Sequence, residues 1–149
     1  MSDVLPAAMP ISRKVLCGVY ALIALGALVA TWSQNLAYSD DLPHLLSTFW
    51  TETKVNPASR SITADILLLS LAGTIWMVIE ARKHQVKFVW LYVVGAFFIA
   101  ISVTFPLFLI AREVKLAESD AERLRPLDIA LLALLAVGTA VFVLWVDIW

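Results

Sequence analysis

The sequence predicts an all-α fold: a bundle of four transmembrane helices with a short interfacial helix between the first two. Three observations carry that expectation. Hydrophobic residues make up 61% of the 149 and charged residues only 15%, where soluble domains run at about 45–50% apolar and about 25% charged. Four apolar runs, 15–33, 62–79, 88–111 and 127–146, each approach the ~20 residues a helix needs to cross a ~30 Å hydrocarbon core. None of them alternates polar and apolar residues as a membrane strand would.

The first helix, about 15–33, is uncharged and follows Arg13-Lys14. Its length exceeds the h-region of a signal peptide, and no small-x-small cleavage pattern follows, so it is expected to stay as a signal anchor. Pro43 can open a helix over about 43–52 that places Leu42, Leu45, Leu46, Phe49 and Trp50 near one face. That pattern suits a helix in the membrane interface or a lid on the bundle.

Asn56-Pro57 reads as the start of helix two, about 57–82. Asn can cap exposed N–H groups, and proline at the first helical position forfeits no bond. Helix three is expected over about 88–115, with a kink at Pro106, whose ring nitrogen cannot bond the carbonyl of Ser102. Charged residues 112–125, including a Glu122–Arg125 pair, extend it into water until Pro126 opens helix four, about 127–146. Small-residue pairs at Gly26/Ala30, Ala96/Ala100 and Ala136/Ala140 offer close helix contacts. Trp32, Trp90, Tyr92, Trp145 and Trp149 fit interfacial belts; Trp76 sits deeper and suits inward packing.

The topology signal is divided. Arg13 and Lys14, with Arg82, Lys83 and Lys87, favour the cytoplasm for the N-terminus and the second loop. Four fully crossing helices then leave Lys54, Arg60, Arg112, Lys115, Arg123 and Arg125 outside, against five cations inside. Because the first helix usually dominates, both termini are expected in the cytoplasm.

Asp65 is the sharpest candidate for function. A carboxylate in an apolar run costs roughly 2.5–3.5 kcal/mol at a helix centre on insertion scales, and less near an end. Ser61 lies one turn earlier on the same face. Asp65 is therefore expected to face another helix or a polar cleft, with Ser61, Asn35 or Asn56 nearby. Two readings stand: a structural hydrogen-bonded acid, or a general acid, proton carrier or ligand contact. Glu80 with Lys83 and His84 fits boundary chemistry at a helix C-terminus.

Other chemistries find no pattern here. A formal net charge of -1 gives no basic footprint for nucleic acid. The lone Cys17 cannot form an internal disulfide. His44 and His84 are the only histidines, and no CxxC, HExxH, P-loop or GxGxxG occurs, so neither a metal site nor a nucleotide motor is expected. The identity of any cofactor stays open.

Asn35, then Asn56-Pro57-Ala58-Ser59-x-Ser61-x-x-x-Asp65, Trp76-Met77-x-x-Glu80-Ala81-Arg82 and Phe105-Pro106-Leu107-Phe108-Leu109-x-x-Arg112-Glu113 form an ordered set of landmarks. From about Tyr20 to Leu116 they resemble the bacterial integral-membrane family catalogued as domain of unknown function 2834. The resemblance implies a small protein of the bacterial inner membrane and brings no activity with it. Its landmarks Asn35, Asn56, Pro57, Ser59, Ser61, Asp65, Trp76, Glu80, Arg82, Pro106, Arg112 and Glu113 are the candidate structural or cleft residues.

The function expected first is an accessory or scaffold subunit of a larger membrane assembly, photosynthetic or respiratory complexes included, with the lipid bilayer and other subunits or a second copy as partners. The alternative is a membrane isomerase or cyclase of lipid-soluble substrates, with Asp65 as general acid and Trp76 or Trp32 facing a developing cation. Lipid or small-solute transport is the third reading, and it requires an oligomer.

Overall fold

The apolar runs fold as helices, and the computed structural model describes residues 9–116 and 125–148. Among the described residues there is no strand, so the all-α class holds. Among those residues four helical stretches are long and apolar enough to cross a membrane: Ile11–Asp41, Pro57–His84, Val89–Lys115 and Pro126–Val146. These make the chain a multi-pass membrane protein.

Helix α1 spans Ile11–Asn35. A 3-10 segment, Leu36–His44, follows it, with a non-helical Asp41 (φ -131°, ψ 65°) ahead of Pro43. The short helix α2 covers Leu45–Glu52. The expected start at Pro43 is therefore displaced by two residues. Tyr38 donates to Glu52, and its ring meets Phe49 edge-on at 6.2 Å, so α2 folds back on the segment before it.

Helix α3, Pro57–His84, begins as its sequence predicts. Asn56 Oδ1 accepts from the Ser59 N–H at 2.9 Å, and Ser59 Oγ accepts from the Asn56 N–H at 3.2 Å. This reciprocal cap, with Pro57 behind it, accounts for three of the landmarks; such a cap is worth about 1 kcal/mol. At its other end Gln85 turns left-handed (φ 55°) and Val86 N–H reaches back to Ala81 at 2.9 Å. Phe88 is left-handed too (φ 60°), so two such residues close the turn into the next helix.

The third stretch departs from expectation. Helix α4, Val89–Gly95, passes through a π-helical turn at Ala96–Ala100 into α5, Ile101–Lys115. Ala100 itself is extended (φ 171°, ψ 145°), and there the chain reverses. In an unbroken helix, residues 92 and 108 would lie ~24 Å apart. The rings of Tyr92 and Phe108 instead meet at 5.8 Å. A Cβ on Gly95 would come within 2.9 Å of Thr104 Cγ2, which is why the closest approach of the two arms falls at a glycine. The stretch is a helical hairpin. The bend lies at Ala100, six residues before the expected site, and α5 runs on through a buried Pro106.

The remaining packing follows. Helix α3 lies parallel to α5: Gly73 faces Ile101 and Phe105, and Trp76 packs at a tilt against Phe105 and edge-on against Phe108. Helix α1 lies antiparallel to α5, since Arg13 pairs with Glu113 while Trp32 reaches Ile99. The core is small, with Met77 and Phe108 fully buried among Ala81, Val86, Val89 and Val93. Gly26, expected at a helix contact, has open space around its Cβ position.

Helix α6, Pro126–Ile148, belongs to a second compact unit, Ser119–Trp149, separate from Met1–Glu118. Asp128 accepts from the Arg125 N–H at 3.1 Å and so caps the first turn, as an acid at a helix start should. Most of the expected extension of helix three, with Glu122 of the Glu122–Arg125 pair, lies outside the described residues, as does Trp149.

Candidate functional site

Three helix ends meet at one side of the first unit: the start of α1 and the ends of α3 and α5. Their charged residues form a continuous network. Arg13 of α1 donates to Glu113 Oε2. The other oxygen, Oε1, accepts from an Arg112 Nη at 3.0 Å. Arg112 Nε crosses to Glu80 Oε2 on α3 at 2.6 Å. On the same helix Lys83 Nζ lies 3.8 Å from Glu80 Oε1. His84 Nε2 sits 3.2 Å from Glu80 Oε2 but off the angle of a hydrogen bond, so that contact is ionic only when the imidazole is protonated.

The side chains of Arg13 and Glu113 are each 7% exposed and that of Glu80 is 10% exposed. Charges so enclosed are tolerated only when paired and hydrogen-bonded. Here two guanidinium groups face two carboxylates, so the inner network balances. Arginine is needed at position 112 because its fork reaches two carboxylates on different helices at once. The guanidinium carbon of that fork lies over the Trp76 ring, 5.6 Å from its centroid. Tyr20 and Cys17, further along α1, lie within electrostatic reach of Glu113.

The sequence landmarks divide into two groups. Trp76, Glu80, Arg112 and Glu113 come together in this network, with Pro106 buried one helical turn or more away on α5. Asn56, Pro57 and Ser59 form the cap at the opposite end of α3. Asn35 closes α1. Arg82 and Ser61 are exposed.

Asp65 stands apart from both groups. It is exposed on α3 and makes no hydrogen bond or ion pair among the described residues. The expected inward orientation and the contact with Ser61, Asn35 or Asn56 are not found. An i,i+4 spacing on one face makes a bond sterically available, but it does not oblige two exposed side chains to form it.

Sequence reasoning missed Arg13, which it used only as a topological signal, whereas the pairing of Glu80 with Lys83 and His84 at the end of its helix is as expected. Arg112 and Glu113 open the charged run expected in water, yet Glu113 is buried and Arg112 largely enclosed. Their partners come from α1 and α3, and nothing local in the sequence marks them.

A second polar feature lies at the far end, where Ala37, Tyr38, Asp40, Asp41, Leu45 and Thr48 line a cavity of about 170 Å³. His44 Nδ1 contacts Asp41 there at 3.0 Å, with both side chains largely exposed. Among the described residues no three His, Cys, Asp or Glu side chains converge as metal ligands would.

Neither the curated proteins nor the solved structures show a match to this chain. One family does, over residues 19–114. That span takes in the hairpin, the α3 cap and every member of the buried network except Arg13. The chain belongs to the family described as "Protein of unknown function DUF2834".

Proposed function

We propose that this protein is a structural subunit of a larger assembly in the bacterial cytoplasmic membrane, with its N-terminus on the cytoplasmic side, and that it docks a partner's spanning helix against the α3 face bearing Asp65. The observation that carries this reading is the exposed Asp65 within an apolar run. A carboxyl facing lipid is unfavourable in either protonation state, and a hydrogen-bond donor or a cation from a neighbouring helix relieves it. The partner's helix therefore presents Lys, Arg, His, Asn or Gln at the matching depth.

The buried network supports the same reading. Its carboxylates are engaged by guanidinium groups that tie three helices together, an arrangement suited to holding shape. The enzymatic alternative, with Asp65 as general acid, gains no support from a carboxyl on an exposed helix face.

Gentle extraction followed by native mass analysis tests the proposal. The wild-type chain is expected to leave the membrane with a partner or a second copy. Asp65→Asn keeps the association, because the amide still hydrogen-bonds, whereas Asp65→Leu weakens it without unfolding the chain. A strictly monomeric wild type, or an Asp65→Leu complex as stable as wild type, rules the reading out.

A further inference from the structure

We infer that Val89–Lys115 is a re-entrant hairpin that enters and leaves the bilayer on one side, so that the chain crosses three times and the two ends of the protein face opposite sides.

The geometry of the hairpin is the first support. Its ascending arm with the turn, 89–99, is ~16 Å long at ~1.5 Å per residue, about half of a ~30 Å core. Tyr92 against Phe108 and Gly95 against Thr104 fix the two arms as antiparallel neighbours. Val89 therefore lies level with about residue 111, and the longer arm α5 runs on about one turn further on the same side, ~22 Å in all and still short of the core. The pairing of Arg112 with Glu80, at the end of α3, places that level independently.

A turn at membrane depth needs its backbone groups satisfied inside the protein. Two of them are. The indole N–H of Trp32, on α1, donates to the Ile99 carbonyl at 3.2 Å, and Thr104 Oγ1 donates to the Ala100 carbonyl at 3.3 Å. The side chains exposed at the tip, Phe97, Phe98 and Ile99, are apolar, as a lipid-facing turn requires.

The distribution of cations along the sequence points the same way. If the third stretch crosses, Lys and Arg divide almost evenly between the two sides. If it re-enters, Arg13, Lys14, Arg82, Lys83, Lys87, Arg112, Lys115, Arg123 and Arg125 share one side, which is nine of the 11. Only Lys54 and Arg60 remain opposite. The bias that cytoplasmic segments show in membrane proteins is restored by the fold. Residues 116–125 carry Glu118, Asp120, Glu122, Arg123 and Arg125, a run too charged to enter hydrocarbon. By connectivity the last apolar stretch then starts on the side where α5 ends and crosses away from it. This outcome differs from the expectation of two cytoplasmic termini, which rested on four full crossings.

Cysteine accessibility in the full chain tests the inference, in a Cys17→Ala background with a membrane-impermeant maleimide. Lys87→Cys and Lys115→Cys are expected to react from the same side and Lys54→Cys from the other. A reporter fused after Trp149 provides a second measurement that needs no internal substitution, and it is expected on the side opposite the N-terminus. Reaction of Lys87→Cys and Lys115→Cys from opposite sides overturns the inference, as does a C-terminal reporter on the side of the N-terminus.

Discussion

At the scale of single residues, Arg112 holds the most consequential position. It lies at the end of α5, yet its donors reach Glu113 on its own helix and Glu80 on α3, and Glu113 in turn binds Arg13 on α1. Removing one partner of an enclosed ion pair leaves charge without compensation, at a cost of about 3–5 kcal/mol. Arg112→Ala should lower stability by that order. Arg112→Lys should cost less, because an ammonium keeps the charge but cannot fork between two carboxylates; one lost charge-assisted bond is about 1.5–3 kcal/mol. Unfolding by SDS titration from mild detergent orders the three proteins. An Arg112→Ala midpoint equal to wild type would show the network to be ornamental. The members of this site were named in sequence, since Trp76, Glu80, Arg112 and Glu113 all stand among the ordered landmarks. Their meeting was not, because Glu80 reads as helix-boundary chemistry and Arg112-Glu113 as the start of a solvated run. Arg13 was not among the landmarks, because a cation before a first apolar run has a sufficient explanation in topology, and nothing local links it to a residue so distant in the chain. Asp65 misled for a related reason. Insertion cost says that a carboxyl needs a partner without saying that the partner belongs to the same chain.

Among the elements, helix ends were far easier to read than the hairpin. Asn56-Pro57, the cations after Glu80 and Pro126 each act through chemistry within a few residues, so α3 and α6 begin within a residue of expectation. The reversal at Ala100 has no such mark. It falls inside a continuous apolar run, the nearby proline lies inside α5, and the residues that stabilise the turn, Trp32 and Thr104, act through tertiary contacts. Gly95 was the available clue, and it reads as an ordinary small residue until Thr104 is placed beside it. Gly95→Ala should therefore destabilise the hairpin by about 1–3 kcal/mol, as overpacking does. Thr104→Ser in the same chain should restore most of that loss. It deletes Cγ2, the atom a Cβ at 95 would strike, and keeps the hydroxyl that bonds Ala100. A double-mutant cycle on the SDS midpoint measures the coupling. Strictly additive effects would mean that the two arms do not pack at these residues.

Over the whole molecule, the family match and the physical division of the chain coincide. Residues 19–114 fall within the unit Met1–Glu118, and that unit holds the whole buried core, the ionic network and the hairpin. Helix α6 is a different kind of element. Its mean hydropathy of 2.7 is the highest of the four stretches, and a helix so apolar inserts on hydrophobic burial alone, with its backbone bonded internally. The first unit could not rely on that, because its enclosed charges and its mid-membrane turn need partners from other elements. Its stability should accordingly rest on its own contacts. A chain ending at Leu116 is expected to insert and to keep the SDS midpoint of the full protein, and Arg112→Ala should lower that midpoint by the same amount in both. The comparison of two lengths with and without the substitution distinguishes the possibilities. Loss of resistance in the short chain, or a different effect of Arg112→Ala, would show that residues after 116 complete the fold of the family's unit.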